Sequence, residues 1–419
     1  MGRIWEYVKS MFKSIIINII WLTCLVNFTD KTVSFEKTNG FKLGNEVLLD
    51  EYADNLKNKK VAVLTNQTGI LHDGTHIIDA LIVKGINVVK IFSPEHGIRG
   101  DESYSDIDEK TGIPIISLYG DKHKPSNNDL KDVDIIIYDI QDVGARFYTY
   151  TSTLYYIIEA AIENNKQLYV CDRPLLLNPD YADGFMLDEG FKSFVGKIPT
   201  PVCYGMTCGE LAGFLAENIN RESNTLVIPV KMKGYSRSTD FDSLKLAWVK
   251  PSPNMFTSKT AVCYPATCFL EGTNVSEGRG TEKPFENFGA PWVESKLLAD
   301  ELNSYGLKGV IFEAITFTPS EKISAYPPKF FNKLCNGIFI NVTDKKKFEP
   351  VKCGAAILVS LYKLFPEFKF NKDNFIDKLA GTDKFRNMVL NDSDYKSIVN
   401  LWEADLLTFK NTREKYLLY

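Results

Sequence analysis

The stretch VDIIIYDIQDVGARFYTYTSTL (133–154) decides how the chain folds. Its apolar run does not alternate with polar residues, so it predicts a strand covered on both faces, from Val133 to Ile140. Asp139, Gln141, Asp142 and Gly144 interrupt the run. From Thr151 to Asn165, Leu154, Ile157, Ile158 and Ala161 then recur at helical spacing. Strand, turn and helix in that order make half of a βαβ unit.

The same grammar extends outward in both directions. Upstream, Val61 to Thr65 reads as a strand, Ile77 to Ile86 as a helix and Val88 to Phe92 as a second strand. Downstream, Leu168 to Cys171 reads as a strand. Thr207-Cys208-Gly209-Glu210 has the form of a capping box opening a helix that runs to Asn218, and Leu226 to Met232 is a further strand. Strands alternating with helices of this length predict an α/β fold with a mostly parallel sheet. Ligands of such sheets sit beyond the carboxyl ends of the strands. Three predicted strands end in polar, glycine-bearing clusters: Thr65 to Gly69, Ser93 to Gly97 and Asp139 to Arg146. These loops are expected to meet on one rim.

Near residue 250 the texture changes. Pro251-Ser252-Pro253-Asn254 reads as a turn, and EGTNVSEGRGTEKPFENFGAPW (271–292) is long, glycine-bearing and without periodicity. Such a loop inside a folded chain is commonly functional, and Phe285, Phe288 and Trp292 would anchor it. Helix and strand signals resume over 293–302, 309–317, 337–342 and 353–365, and an amphipathic helix spans 395–407. The organisation expected is therefore a first subdomain over 42–248 and a smaller α/β subdomain over 249–419.

Composition narrows the function classes. Hydrophobic residues are 44%, charged residues 24% and the net charge is −4, the profile of a folded protein with no basic face for nucleic acid. Residues 1–30 differ: Lys9 and Lys13 precede an apolar stretch, Ile15 to Phe28, which reads as a secretory signal peptide or membrane anchor. Export to a periplasmic or extracellular location is expected. The eight cysteines form no Cys-x-x-Cys, and only four histidines are present, so no metal site is expected and buried free thiols are. The first strand is followed by Asn66-Gln67-Thr68-Gly69, without a dinucleotide fingerprint, and Gly278-Arg279-Gly280-Thr281 is no phosphate loop. No cofactor is expected, and a nucleotide- or metal-dependent hydrolase is the weaker reading.

Three groups of residues carry chemistry. Glu95 and His96 stand together at the mouth of a strand, where an ion-paired loop, a metal site or acid–base work are the alternatives. Asp139, Gln141, Arg146, Tyr148 and Tyr150 offer donors and acceptors suited to a polyhydroxylated ligand, while Asp142 reads as a helix cap. Glu271, Asn274, Glu277 and Arg279 place two carboxylates in the long loop. Glycoside hydrolysis needs two such groups, one protonating the leaving oxygen and one attacking the sugar or activating water.

Taken in order, LTNQTGI (64–70), FSPEHGIRG (92–100), DIQDVGARFYTYTSTL (139–154), DRP (172–174), YGMTCGELA (204–212), PSPN (251–254) and the 271–292 stretch resemble the NamZ-type exo-β-N-acetylmuramidases. The resemblance runs from about residue 42 to the C-terminus. It implies a Rossmann-like subdomain joined to a smaller α/β subdomain, with the active site in the cleft between them. It also implies release of N-acetylmuramic acid from non-reducing ends of peptidoglycan fragments, in a wall-recycling or feeding role. Carried onto this chain, Glu95 is the general acid with His96 beside it. Asp139, Gln141, Arg146 and Tyr148 line the sugar site, with Asn66 counted among the binding residues. Glu271, Asn274, Glu277 and Arg279 contribute from the long loop. The second carboxylate comes from Asp139, Glu271 or Glu277, with Glu277 taken as catalytic. Two positions depart from the family pattern: Leu175-Leu176 follow Asp172-Arg173-Pro174 where Asn-Pro is common, and Tyr204 stands where many members have His. A wall-sugar binding protein without turnover is the alternative reading.

Overall fold

The computed structural model describes residues 40–100, 105–222, 226–321 and 327–419. The leader expected at 1–30 lies outside them. Six parallel strands form the first sheet: β1 (Val61–Thr65), β2 (Val88–Ser93), β3 (Ile115–Ser117), β4 (Ile135–Asp139), β5 (Gln167–Cys171) and β6 (Val227–Val230), in the order β3-β2-β1-β4-β5-β6. This is the doubly wound order, and the chain reverses direction across the sheet between β1 and β4.

Both central strands are buried along their whole length, which explains their unbroken apolar runs. Alternate side chains go to opposite faces. Val61, Val63, Ile135 and Ile137 pack beneath α1 (Gly44–Glu51) and α2 (Ile77–Val83). Ala62, Leu64, Ile136 and Tyr138 pack on the other face, against α3 (Tyr150–Glu163) and α4 (Cys208–Ile219). The capping box at α4 forms: Glu210 N donates to Thr207 Oγ1 at 3.2 Å, and Thr207 N donates to Glu210 Oε2 at 2.9 Å. A cap of this kind typically contributes about 1 kcal/mol.

The second apolar face does not stop at the first sheet. The same core continues into α5 (Ser258–Thr267), α6 (Ser295–Ser304), the almost wholly buried α7 (Pro350–Leu364) and α8 (Tyr395–Arg413). A small antiparallel sheet, β7 (Asn287–Ala290), β8 (Val310–Phe317) and β9 (Cys335–Val342), lies here with β9 in the middle. β8 alternates, with Val310 and Phe312 turned inward and Ile311 and Glu313 outward, as an edge strand with one wet face should. Thr38–Tyr419 forms one compact unit. The seven described cysteines are buried and free. Among the described residues no helix is long and apolar enough to cross a membrane.

Two expectations need correction. The 271–292 stretch is not a loop throughout: it contains β7, whose four residues are all buried and pair with β9. Asp142 does not cap α3, which starts after Thr149. It is half-buried and accepts the Tyr204 hydroxyl. Burial pushes the Asp142 carboxyl up to about 6 although this hydrogen bond opposes the shift.

Candidate active site

The carboxyl ends of β2, β1 and β4 are adjacent, so the three polar loops do meet on one rim. The crevice at the β1–β4 reversal is nonetheless filled by the protein itself. Arg173 donates to both oxygens of Asp139 at 2.6 and 2.9 Å, and Asn45 Nδ2 adds a bond at 2.9 Å. Gly69 makes this closure possible, since a Cβ there would lie 2.0 Å from Thr65 Oγ1 and 3.0 Å from Asp139 O. A void of about 30 Å³ is left, lined by Thr68, Gln141 and Arg173 among others.

A cavity of about 160 Å³ opens instead beyond β2 and the start of α3. Glu95 and His96 line it from the β2 loop, and Tyr148 and Thr149 from the turn into α3. His96 has φ 73°, a left-handed backbone uncommon outside glycine and a mark of a constrained turn. Glu95 is held from two sides. Thr149 Oγ1 donates to Glu95 Oε2 at 2.7 Å, and Tyr150 Oη donates to the Glu95 carbonyl at 3.3 Å and to the Pro251 carbonyl at 2.6 Å. Tyr150 thereby ties Glu95 to the Ser252-Pro253-Asn254 turn, which forms the next wall.

The opposite wall comes from the second half of the chain. α5 passes into a 3-10 turn, Cys268–Gly272, that carries Glu271. Tyr264 and Phe285 meet edge to face with centroids 4.8 Å apart, and Tyr148 meets Tyr264 in the same way at 5.7 Å. Arg279 lies over the Phe285 ring, 5.1 Å from its centroid, and reaches between two carboxylates. It contacts Glu271 at 2.9 Å and Glu277 at 3.5 Å. Lys329 donates to Glu277 at 3.1 Å and to the carbonyls of Leu270 and Val275 at 2.7 and 3.0 Å.

This arrangement splits the two glutamates. Burial pushes the Glu271 pKa above its ordinary value, and the Arg279 charge does not overcome it. Burial presses Glu277 the same way, but Lys329 and Arg279 together outweigh it and hold its pKa below the ordinary value. Glu271 and Arg279 face the cavity, whereas Glu277 stands behind them, 3% exposed and away from the cavity wall.

Of the residues expected at the site, the structure brings Glu95, His96, Tyr148, Glu271 and Arg279 to one cavity. It places the others elsewhere. Asp139 is fully buried in its pair with Arg173. Gln141 donates to the carbonyls of Asp142 and Pro174, and Asn66 accepts from the Thr68 amide and hydroxyl. Arg146 is fully buried and bonds the carbonyls of Phe185, Thr200, Leu379 and Ala380. Burial lowers its pKa, and carbonyl dipoles stand where a counterion would. Asn274 clamps the 367–369 backbone, donating to Glu367 O and accepting from Lys369 N.

Sequence reasoning missed four contributors. Asn254 and Thr149 lie within stretches that carried the family resemblance, and that was their available signal. Tyr264 sits inside an ordinary-looking helix and Lys329 follows two prolines, with nothing local to mark either.

The chain matches the family models described as exo-β-N-acetylmuramidase NamZ, N-terminal, over residues 61–259, and NamZ, C-terminal, over 262–419. It is 43% identical over 383 residues to the peptidoglycan β-N-acetylmuramidase NamZ of Bacillus subtilis (strain 168), covering 90% of this chain and 91% of that one. Crystal structures of two DUF1343 family proteins from Bacteroides fragilis NCTC 9343 superpose with TM-scores of 0.83 and 0.74, at 33% and 35% identity. In each case the match covers 90% of this chain and 99% of the other. Fold and sequence agree, and the chain belongs to the NamZ exo-β-N-acetylmuramidase family.

Proposed function

We propose that the chain is an exo-acting glycoside hydrolase that releases N-acetylmuramic acid from the non-reducing ends of peptidoglycan fragments. The observation that carries this reading is one cavity with Glu95 on the wall from the first sheet and Glu271 on the wall from the second half. Glu95 lies beside His96 at the open side of the cavity and is the proton donor to the glycosidic oxygen. Glu271, whose proton affinity burial raises, is the second carboxyl group. Glu277 and Lys329 act through Arg279 and Glu271 rather than on the sugar. Arg279 is the guanidinium that meets the lactyl carboxylate of muramic acid, a charge-assisted pairing that selects this sugar. Arg146 is fully committed to carbonyls and does not share that role.

The test is incubation with a disaccharide carrying N-acetylmuramic acid at its non-reducing end. Free N-acetylmuramic acid is expected, and Glu95→Gln should lower kcat by about 10² to 10⁴. Full activity in that variant overturns the assignment. A disaccharide without the lactyl group should be a far poorer substrate, and equal use of the two overturns the role of Arg279. Residues 1–30 support export to the periplasm or cell surface, consistent with wall-derived substrates. Fractionation of the full-length chain tests that, and retention in the cytoplasm contradicts it.

A further inference from the structure

A second hollow of about 510 Å³ adjoins the cavity, and the two share His96, Ser252 and Pro253 as a common ridge. Their walls differ. The cavity is closed by buried side chains, including Phe147, Tyr264, Cys268 and Phe285. The hollow is lined by half-buried or exposed residues, among them Gln67, Arg99, Val249 and Lys250. An exo-acting site needs this asymmetry: a blind end for the terminal sugar and an open side for whatever remains attached to it.

The hollow is also built rather than incidental. Gln67 Nε2 donates to the carbonyls of Lys250 and Pro251 at 2.9 and 3.3 Å, fixing the 250–251 backbone to the β1 loop. Tyr150 holds that same Pro251 carbonyl together with the Glu95 carbonyl, so one phenol sets the hollow's wall and the Glu95 backbone in register. Arg99 is locked by Asp108 at 2.8 Å and by Asp79 at 3.1 Å, so its charge is already balanced. The Lys250 ammonium lies over the Phe256 ring, 4.2 Å from its centroid, at an exposed position. With Arg99 balanced, the hollow presents the Gln67 amide, the Ser252 hydroxyl and one exposed ammonium, groups that suit a polyhydroxylated ring held by hydrogen bonds.

On the glycosidase reading above, we infer that this hollow is the leaving-group subsite, taking the neutral N-acetylhexosamine and any chain beyond it. The scissile oxygen then lies over the His96–Pro253 ridge, within reach of Glu95. The subsite contributes binding energy only for substrates that extend past the ridge.

The test compares two substrates in purified full-length protein: a disaccharide of N-acetylmuramic acid and N-acetylglucosamine, and an aryl β-N-acetylmuraminide whose small leaving group stays near the ridge. Val249→Trp, which fills the hollow, should lower kcat/KM for the disaccharide about tenfold more than for the aryl substrate. Lys250→Glu, at an exposed position, should shift the ratio the same way by a smaller factor, and it carries the comparison if the tryptophan variant does not fold. Ratios unchanged in the folded variants overturn the subsite while leaving the glycosidase reading intact. Wild-type protein that cleaves neither substrate overturns both.

Discussion

At the β1–β4 junction, Asp139 takes two bonds from Arg173 and one from Asn45, and the group is sealed from solvent. In the cavity, a single Arg279 is divided between Glu271 and Glu277, and one of those glutamates faces open space. Both regions are acid–arginine clusters, the first at the carboxyl edge of the parallel sheet and the second across the cavity from it. The first satisfies every charge locally and leaves almost no room. The second also sets two cations against two acids, but Lys329 stands against Glu277, and burial leaves Glu271, on the cavity side, with an elevated proton affinity. A pair sealed from solvent holds a fold together, and an acid that faces a cavity is available for chemistry.

Substitutions in the cavity and at the buried pair should therefore separate activity from stability. Glu95→Gln should lose its rate by the factor given above while melting within a degree or two of wild type. Arg173→Met should do the reverse. It strands Asp139 in the interior, and breaking a buried pair on one side costs about 3–5 kcal/mol. A large fall in Tm is expected, with kcat of the remaining folded protein little changed. An Arg173→Met protein that melts normally but does not turn over would move the active site to the sheet reversal.

A finer break concerns Lys329. Its ammonium lowers the proton affinity of both glutamates, so Lys329→Met should raise them. If Glu271 must be ionised to act, the acidic limb of the kcat/KM profile moves up by ~1 pH unit. A loss of rate with no movement of that limb would make Lys329 a purely structural prop.

The smallest effect is expected at Asp142. Its folded pKa of about 6 lies above that of an unfolded aspartate. Its contribution to stability is complete below the unfolded pKa and is lost as pH rises through about 6. Asp142→Asn should therefore shrink the Tm difference between pH 5 and pH 7, by an amount equivalent to ~1 kcal/mol. An unchanged difference would mean that the Tyr204 contact keeps Asp142 ionised throughout.

The first sheet was legible because its strands are apolar on both faces and its helices are amphipathic. β1 is found where the sequence puts it, and β2 and β5 differ by one residue at an end. β3 and β7 were not legible. β3 has only three residues, and β7 (NFGA) owes its conformation to pairing with β9, far along the chain. The site divides in the same way. Glu95, His96, Tyr148, Glu271 and Arg279 could be named because polar groups beside glycine in loops stand out. Whether a polar residue faces a cavity or a distant partner cannot be read locally. Arg146 meets Leu379, 233 positions away, and Asp139 meets Arg173, 34 positions away. Nothing in the residues flanking Arg146 or Asp139 announces those partners.

The most direct test is a crystal structure of the Glu95→Gln protein with a disaccharide bearing N-acetylmuramic acid at its non-reducing end. The muramyl ring is expected among Tyr148, Tyr264 and Phe285, with its lactyl carboxylate on Arg279 and its glycosidic oxygen at position 95. A sugar seated instead over the Asp139–Arg173 pair, with the cavity unfilled, would contradict the account.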